Sequence, residues 1–152
     1  VLLEMVAQTY AAAQGYRVLL PWYAPEERLR AERIIQAAQT GELLPREELG
    51  GVAQWIGSAA GVVGVDTGLA HLAAALGTPA LTLYGPTRID LTGAVGPRQR
   101  NLAVEFPCAP CLSRECSFRF EGEVESEIRP ACFTTLPPEL VWEALSDQMV
   151  LR

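Results

Sequence analysis

Residues Gly61 to Thr87 read "GVVGVDTGLAHLAAALGTPALTLYGPT". An apolar run, Val62 to Val65, breaks at Asp66-Thr67-Gly68. An alanine-rich stretch from Leu69 to Leu76 follows and ends at Gly77, and a second apolar run, Ala80 to Tyr84, breaks at Gly85-Pro86-Thr87. Short continuous apolar runs bounded by turn residues are the mark of strands buried on both faces. A helix between two such strands predicts a crossover that leaves them parallel, in an α/β fold covered by helices on both sides.

The same alternation continues in both directions. Toward the N-terminus, Leu2, Leu3, Val6, Ala7, Tyr10 and Ala13 recur at helical spacing, with Gly15 at the place of a C-terminal cap. Tyr16 to Leu20 reads as a strand stopped by Pro21, and a helix rich in Glu, Arg and Ala runs from about Glu26 to Thr40-Gly41. Leu49, Val52, Ala53 and Ile56 give the segment from Arg46 to Ala60 a core-facing helical stripe. Toward the C-terminus, "NLAVEF" from Asn101 reads as one more strand, and residues 107–137 read as a loop-like insertion holding four cysteines. Pro137 and Pro138 open a last helix over 138–151, with Leu140, Val141, Ala144, Leu145 and Met149 on one stripe. That stripe, with Trp142, is expected to pack across a cleft onto another part of the protein.

With 152 residues, 49% hydrophobic and 20% charged, the sequence has the composition of one globular domain spanning 1–152. Net charge is -6, and all 12 cationic residues are arginines scattered along the chain. No basic stripe points to nucleic acid or to an anionic membrane. No apolar stretch reaches the roughly 20 residues that a membrane span needs. Val1 to Glu4 lack a basic leader and a cleavage site, so a cytoplasmic protein is expected.

In open parallel sheets, ligands bind beyond the carboxyl ends of the strands, where loops enter helix N-termini. Asp66-Thr67-Gly68 stands at such an end. Asp66 or Thr67 can cap the following helix, and Gly68 permits close backbone approach, so free amides and the positive dipole end can receive a phosphate. An aspartate repels phosphate, which assigns Asp66 to organising the turn and the Thr67 hydroxyl and nearby amides to touching the anion. His71, the only histidine, lies four residues after Thr67 on the same side of the helix. The dipole there disfavours imidazolium, making His71 a neutral donor to an oxygen of ligand or loop. A capped helix with a buried, satisfied histidine is the plain alternative.

"GVDTGLAHLAAALGTPALTLYGPT" resembles the C-terminal donor-binding segment of glycosyltransferase family 9, the heptosyltransferases, most of all its heptosyltransferase I branch. "LLPWYAPEERLRAERI", from Leu19 to Ile34, resembles the strand, loop and helix upstream of it in that family, and the resemblance covers roughly residues 1 to 100. It implies a Rossmann-like three-layer α/β/α fold with a parallel sheet: the C-terminal half of a GT-B glycosyltransferase, which holds ADP-heptose. The other half supplies the acceptor site and the general base, so no catalytic group is expected here. The first strand and loop of the present half, with a phosphate-binding lysine, are also expected to lie outside a chain that contains no lysine.

The resemblance implies a donor site of Asp66, Thr67, Gly68, Leu69, His71, Glu27 and Thr87. Asp66, Thr67 and Gly68 would hold the diphosphate, His71 the loop or the sugar side, and Glu27 the nucleotide ribose, whose two hydroxyls a carboxylate can accept. A first-turn glutamate favoured by the helix dipole is the alternative for Glu27. Gly85-Pro86-Thr87 reads first as a strand-ending turn, with Thr87 a sugar or phosphate contact. The implied reaction is inverting transfer of heptose to the inner core of lipopolysaccharide, on the inner face of the bacterial inner membrane, with no cofactor for the chemistry.

Cys108, Cys111 and Cys116 form C-x2-C-x4-C, and Cys132 follows. That spacing is close to a structural zinc site, which would organise a loop poor in apolar residues; an iron-sulfur cluster could use the same thiolates, and reduced thiols are the remaining state. The heptosyltransferase I branch lacks a matching set. Two other functions fit the sequence: the donor half of a GT-B enzyme using another nucleotide sugar, and a non-catalytic interaction domain organised by zinc.

Overall fold

The structure, a computed structural model, describes residues 6, 11–119 and 130–150. Its strands are β1 (Leu19–Leu20), β2 (Glu42–Leu43), β3 (Val62–Val65), β4 (Ala80–Tyr84) and β5 (Gln99–Ala103). The α-helices among the described residues are α1 (Pro25–Ala38), α2 (Leu49–Ser58), α3 (Gly68–Ala75), the single turn α4 (Ile89–Thr92) and α5 (Pro138–Val150). Most of the helix expected before Gly15 lies outside the described residues. Gly15 itself is left-handed at φ 81° and closes a 3-10 turn over Ala12–Gln14, its N–H donating to the Ala12 carbonyl.

Strand β4 is the axis of the domain, buried along its whole length because helices cover both faces. Leu81 and Leu83 point to one side, into a core with Val141, Ala144 and Leu145 of α5; Ala80 points to the other, against Ile56 of α2 and Ala73 of α3. The period of two along a strand produces this division, and each of the two leucines contributes about 1.5–3 kcal/mol by leaving water. Helix α5 therefore buries Val141, Ala144 and Leu145 against its own sheet, while Leu140 of the same stripe is exposed. Alanines 70, 73 and 74 are the buried face of α3. Their small side chains let the helix lie close to β3, with Gly64 beneath Ala70: a Cβ at Gly64 would stand 3.6 Å from that of Ala70. Thr78, buried between α2 and β4, donates its hydroxyl to the Ile56 carbonyl at 3.0 Å, which also accepts the Ala59 N–H at 3.2 Å at the end of α2.

All the strand pairs described are parallel, with Val62 opposite Ala80, Ala80 opposite Gln99 and Leu19 opposite Glu42. They form two sheets, β1-β2 and β3-β4-β5, where one was expected. Between them lies a cavity of about 680 Å³ lined by Leu19 and Leu20 on one side and Val62 to Val65 on the other, with Trp55 and Trp142 on its walls. Each facing strand pairs on one edge only among the described residues. No described helix is long and apolar enough to cross a membrane.

Candidate functional site

The parallel sheet carries the carboxyl ends of β3 and β4 to one edge, and the loop from β3 enters α3 there. Thr67 is the N-cap residue of α3, extended at φ -148° and ψ 165°. Its carbonyl receives the Ala70 and His71 N–H groups at 3.1 and 3.4 Å. Its side chain makes no capping bond. The hydroxyl is thus not consumed by the helix, contrary to the capping expected of Thr67 or Asp66. The N–H groups of Gly68 and Leu69 have no partner among the described residues, as the geometry of a helix start requires when nothing caps it. A Cβ at Gly68 would meet nothing within 4 Å, so the space beside the Gly68 Cα is open.

Gly68 and Leu69 line a cavity of about 570 Å³ together with Glu27, Leu49, Thr67, His71, Leu72 and Ala75. Five of the seven residues expected at the donor site therefore share one cavity wall; Asp66 and Thr87 do not line it. Oriented amides and the dipole of α3 place about half a positive charge at this opening, a setting for an anion.

Asp66 sits behind the wall and joins two loops instead of its own turn. Its Oδ2 accepts the Thr92 hydroxyl at 2.7 Å, and its Oδ1 lies 3.6 Å from Nε2 of His71, within ion-pair range though too long for a hydrogen bond. Thr92 is held in turn by Tyr84, the last residue of β4. The Tyr84 hydroxyl donates to the Thr92 carbonyl at 3.0 Å and accepts the Ala94 N–H at 2.9 Å. Burial pushes the Tyr84 phenol above its ordinary value, the Ala94 N–H opposes this, and the Asp66 charge adds to it, so the group stays protonated and can donate. Sequence reasoning missed both Tyr84 and Thr92. The signal was a tyrosine ending a fully buried strand, whose hydroxyl had to find partners somewhere. Thr87 Oγ1 is buried without a partner among the described residues.

Glu27 is the third residue of α1, and its Oε2 accepts the Tyr23 and Ala24 N–H groups at 2.9 and 3.1 Å. This is half of a capping box; Ala24 has no side-chain oxygen to return the bond. Pro25 at the first helical position completes the start signal. The Ala24 N–H, then the Tyr23 N–H, hold the carboxyl below the ordinary glutamate range. Oε1 has no hydrogen bond among the described residues, so the capping role uses one oxygen and leaves the other unengaged in a residue that lines the cavity.

The sign of the pH effect follows. A carboxyl with a lower pKa folded than unfolded stabilises fully above the unfolded value, and the contribution is lost as pH falls through the folded one. Glu27→Ala is expected to cost up to about 1 kcal/mol at neutral pH, limited by solvent exposure, and to flatten the loss of thermal stability on the acid side. Melting temperature against pH for both proteins measures this; parallel curves would remove the capping role.

The four cysteines are free thiols, Cys108 and Cys111 exposed, Cys116 half-buried and Cys132 buried. Among the described residues no three Cys, His, Asp or Glu side chains are arranged as a ready metal site.

Comparison with known proteins places this geometry. Residues 4–120 match the model of glycosyltransferase family 9 (heptosyltransferase). Lipopolysaccharide heptosyltransferase 1 of Pseudomonas aeruginosa is 43% identical over 142 residues, which are 90% of this chain and 40% of that protein. The solved E. coli heptosyltransferase WaaC with ADP is 41% identical, with a TM-score of 0.64, over 68% of this chain and 32% of that one; the same enzyme with ADP-2-deoxy-2-fluoro heptose superposes with a TM-score of 0.59 at 39% identity. The family 9 glycosyltransferase of Veillonella parvula shares the fold over 99% of this chain and 41% of its own, with a TM-score of 0.75 at 15% identity. The chain spans less than half the length of each of these relatives. On the match of its sequence and of its fold, the chain belongs to glycosyltransferase family 9, the heptosyltransferases.

Proposed function

We propose that this chain is the donor half of an inverting heptosyltransferase that moves heptose from ADP-heptose to the lipopolysaccharide inner core. One observation carries the reading: Gly68 and Leu69, whose N–H groups have no partner among the described residues, line one cavity with Thr67, Glu27 and His71. The solved relative WaaC, with ADP and with a fluorinated ADP-heptose, supports a nucleotide diphosphate as the occupant.

In the reaction an acceptor hydroxyl, deprotonated by a base in the other half of the enzyme, attacks the anomeric carbon. The bond from that carbon to the diphosphate oxygen breaks, ADP leaves and the configuration inverts. Negative charge grows on the leaving phosphate, where the Gly68 and Leu69 amides and the Thr67 hydroxyl are fixed donors. His71, beside Asp66, supports the loop or the sugar, and Oε1 of Glu27 is available to a ribose hydroxyl. No cofactor takes part in this chemistry, and the enzyme works in the cytoplasm, peripheral to the membrane that carries its acceptor.

The cavity between the two sheets belongs to the same reading. A strand placed between β1 and β3 would pair with both facing edges and give one parallel sheet in the order β2-β1-new-β3-β4-β5, the pattern of a nucleotide-binding α/β domain. We assign that strand to the remainder of the longer protein, together with the half that binds the acceptor.

Calorimetric titration of the full-length protein with ADP, UDP and GDP tests the donor. ADP is expected to bind most tightly, and Thr67→Ala to weaken it by about tenfold through loss of a hydrogen bond to a charged group. Equal affinities for the three nucleotides would point to another donor, and an unchanged ADP affinity in Thr67→Ala would remove the hydroxyl from the site.

A further inference from the structure

Resting on the donor reading, we infer that Tyr23 and Arg46 form the plane on which the donor's nucleobase stacks, at the Glu27 end of the cavity. Tyr23 follows β1 and Arg46 follows β2, each three residues beyond its strand. The two strands are parallel neighbours, so both loops emerge at one edge. Trp22 Nε1–H donates to the Leu44 carbonyl at 2.9 Å and ties these loops together. The guanidinium carbon of Arg46 lies 4.5 Å from the centre of the Tyr23 ring, within the range of a cation held over an aromatic face. Neither side chain lines the cavity itself, and each adjoins a residue that does. The Tyr23 N–H donates to Oε2 of Glu27 at 2.9 Å, and Arg46 stands three positions before Leu49.

Each part of a nucleoside diphosphate calls for a different surface. The Gly68 and Leu69 amides suit the phosphates, and the unengaged oxygen of Glu27 suits a ribose hydroxyl. A base has flat, weakly hydrated faces and binds best against an aromatic ring or a guanidinium plane. The Tyr23–Arg46 pair, joined to Glu27 through the Tyr23 N–H, supplies such a plane. Tyr23 remains 60% exposed with the guanidinium over its ring, and Leu49 is 67% exposed, so apolar surface at this end is left for a ligand to cover. Arg46 makes no ion pair among the described residues. Its described partner is therefore the ring, and a planar guanidinium can stack on a ring and a base alike, which an ammonium group cannot. Because Trp22 braces the two loops, the plane exists before the ligand arrives and little ordering entropy is lost on binding.

Calorimetry on the full-length protein tests this with ADP, UDP and inorganic pyrophosphate, the last having no base. Tyr23→Ala is expected to weaken ADP about 5- to 100-fold, to weaken UDP less, and to leave pyrophosphate within about twofold of the parent. Tyr23→Phe, which keeps the ring, is expected to bind ADP within about twofold of the parent, and Arg46→Ala to weaken ADP about threefold with pyrophosphate unchanged. Both side chains are exposed, so all three variants are expected to melt with the parent. Three outcomes overturn the inference: ADP bound equally by the parent and Tyr23→Ala, equal losses for ADP and pyrophosphate in either alanine variant, or Tyr23→Phe as weak as Tyr23→Ala. Each of these leaves ADP bound to the parent and the donor reading standing. A parent that binds neither ADP nor UDP fails that reading and this one together.

Discussion

Gly68→Pro in the full-length enzyme is expected to lower heptose transfer from ADP-heptose by about 100- to 1000-fold while leaving the melting temperature close to that of the parent. Proline lacks the N–H, so the substitution deletes one of the two partnerless donors and nothing else that the fold uses. Position 68 is the first residue of α3, where proline is favoured because that N–H has no intrahelical partner. The residue before a proline must be extended, and Thr67 already is, at φ -148° and ψ 165°. An added Cβ meets nothing within 4 Å. Removing one fixed donor from a developing oxyanion costs about 3 kcal/mol of barrier. Single-turnover rates with saturating donor, beside a thermal melt, measure both halves of the statement. A variant that melts with the parent and turns over at the parental rate would mean that the start of α3 does not touch the leaving group.

The order of the elements was legible because it rests on local signals. Val62 to Val65 and Ala80 to Tyr84 are strands with the bounds their apolar runs suggested, and the last helix begins at Pro138. Arg46 to Glu48 precede α2 without joining it, since apolar spacing marks a buried face better than it marks a boundary. β2 has two residues and α4 one turn, too short for any periodicity to show. At the site, the Asp-Thr-Gly turn and its open amides follow from the break between strand and helix. The division of labour within the turn does not. Asp66 bonds Thr92, 26 positions further on, and Thr92 is placed by the hydroxyl of Tyr84; such partners are set by how two loops meet at the end of a parallel sheet. At Glu27 the structure shows the first-turn role, one oxygen on the α1 start, and leaves the other oxygen without a hydrogen bond among the described residues.

Tyr84→Phe is the second substitution with a large expected effect, and it separates stability from donor binding. The phenol is 1% exposed as part of its residue, and its oxygen joins the Thr92 carbonyl to the Ala94 N–H. Phenylalanine keeps the ring and its packing, but leaves the N–H of Ala94, itself 3% exposed, without a partner. A buried donor left unsatisfied costs about 1–3 kcal/mol, which in a domain of this size lowers the melting temperature by about 2–4 °C for each kcal/mol. The released turn also carries Thr92 and, through it, the Oδ2 contact of Asp66, so the donor KM is expected to rise as well. Thr92→Val provides the control: it removes the hydroxyl at Asp66 while the Thr92 carbonyl and Ala94 N–H keep their bonds to Tyr84. It is expected to raise the donor KM with little change in melting temperature. If both variants lower stability equally and leave KM alone, the chain from Tyr84 through Thr92 to Asp66 braces the fold only. If Thr92→Val alone shifts KM, the hydroxyl of Thr92 sets the position of Asp66 independently of the tyrosine beneath it.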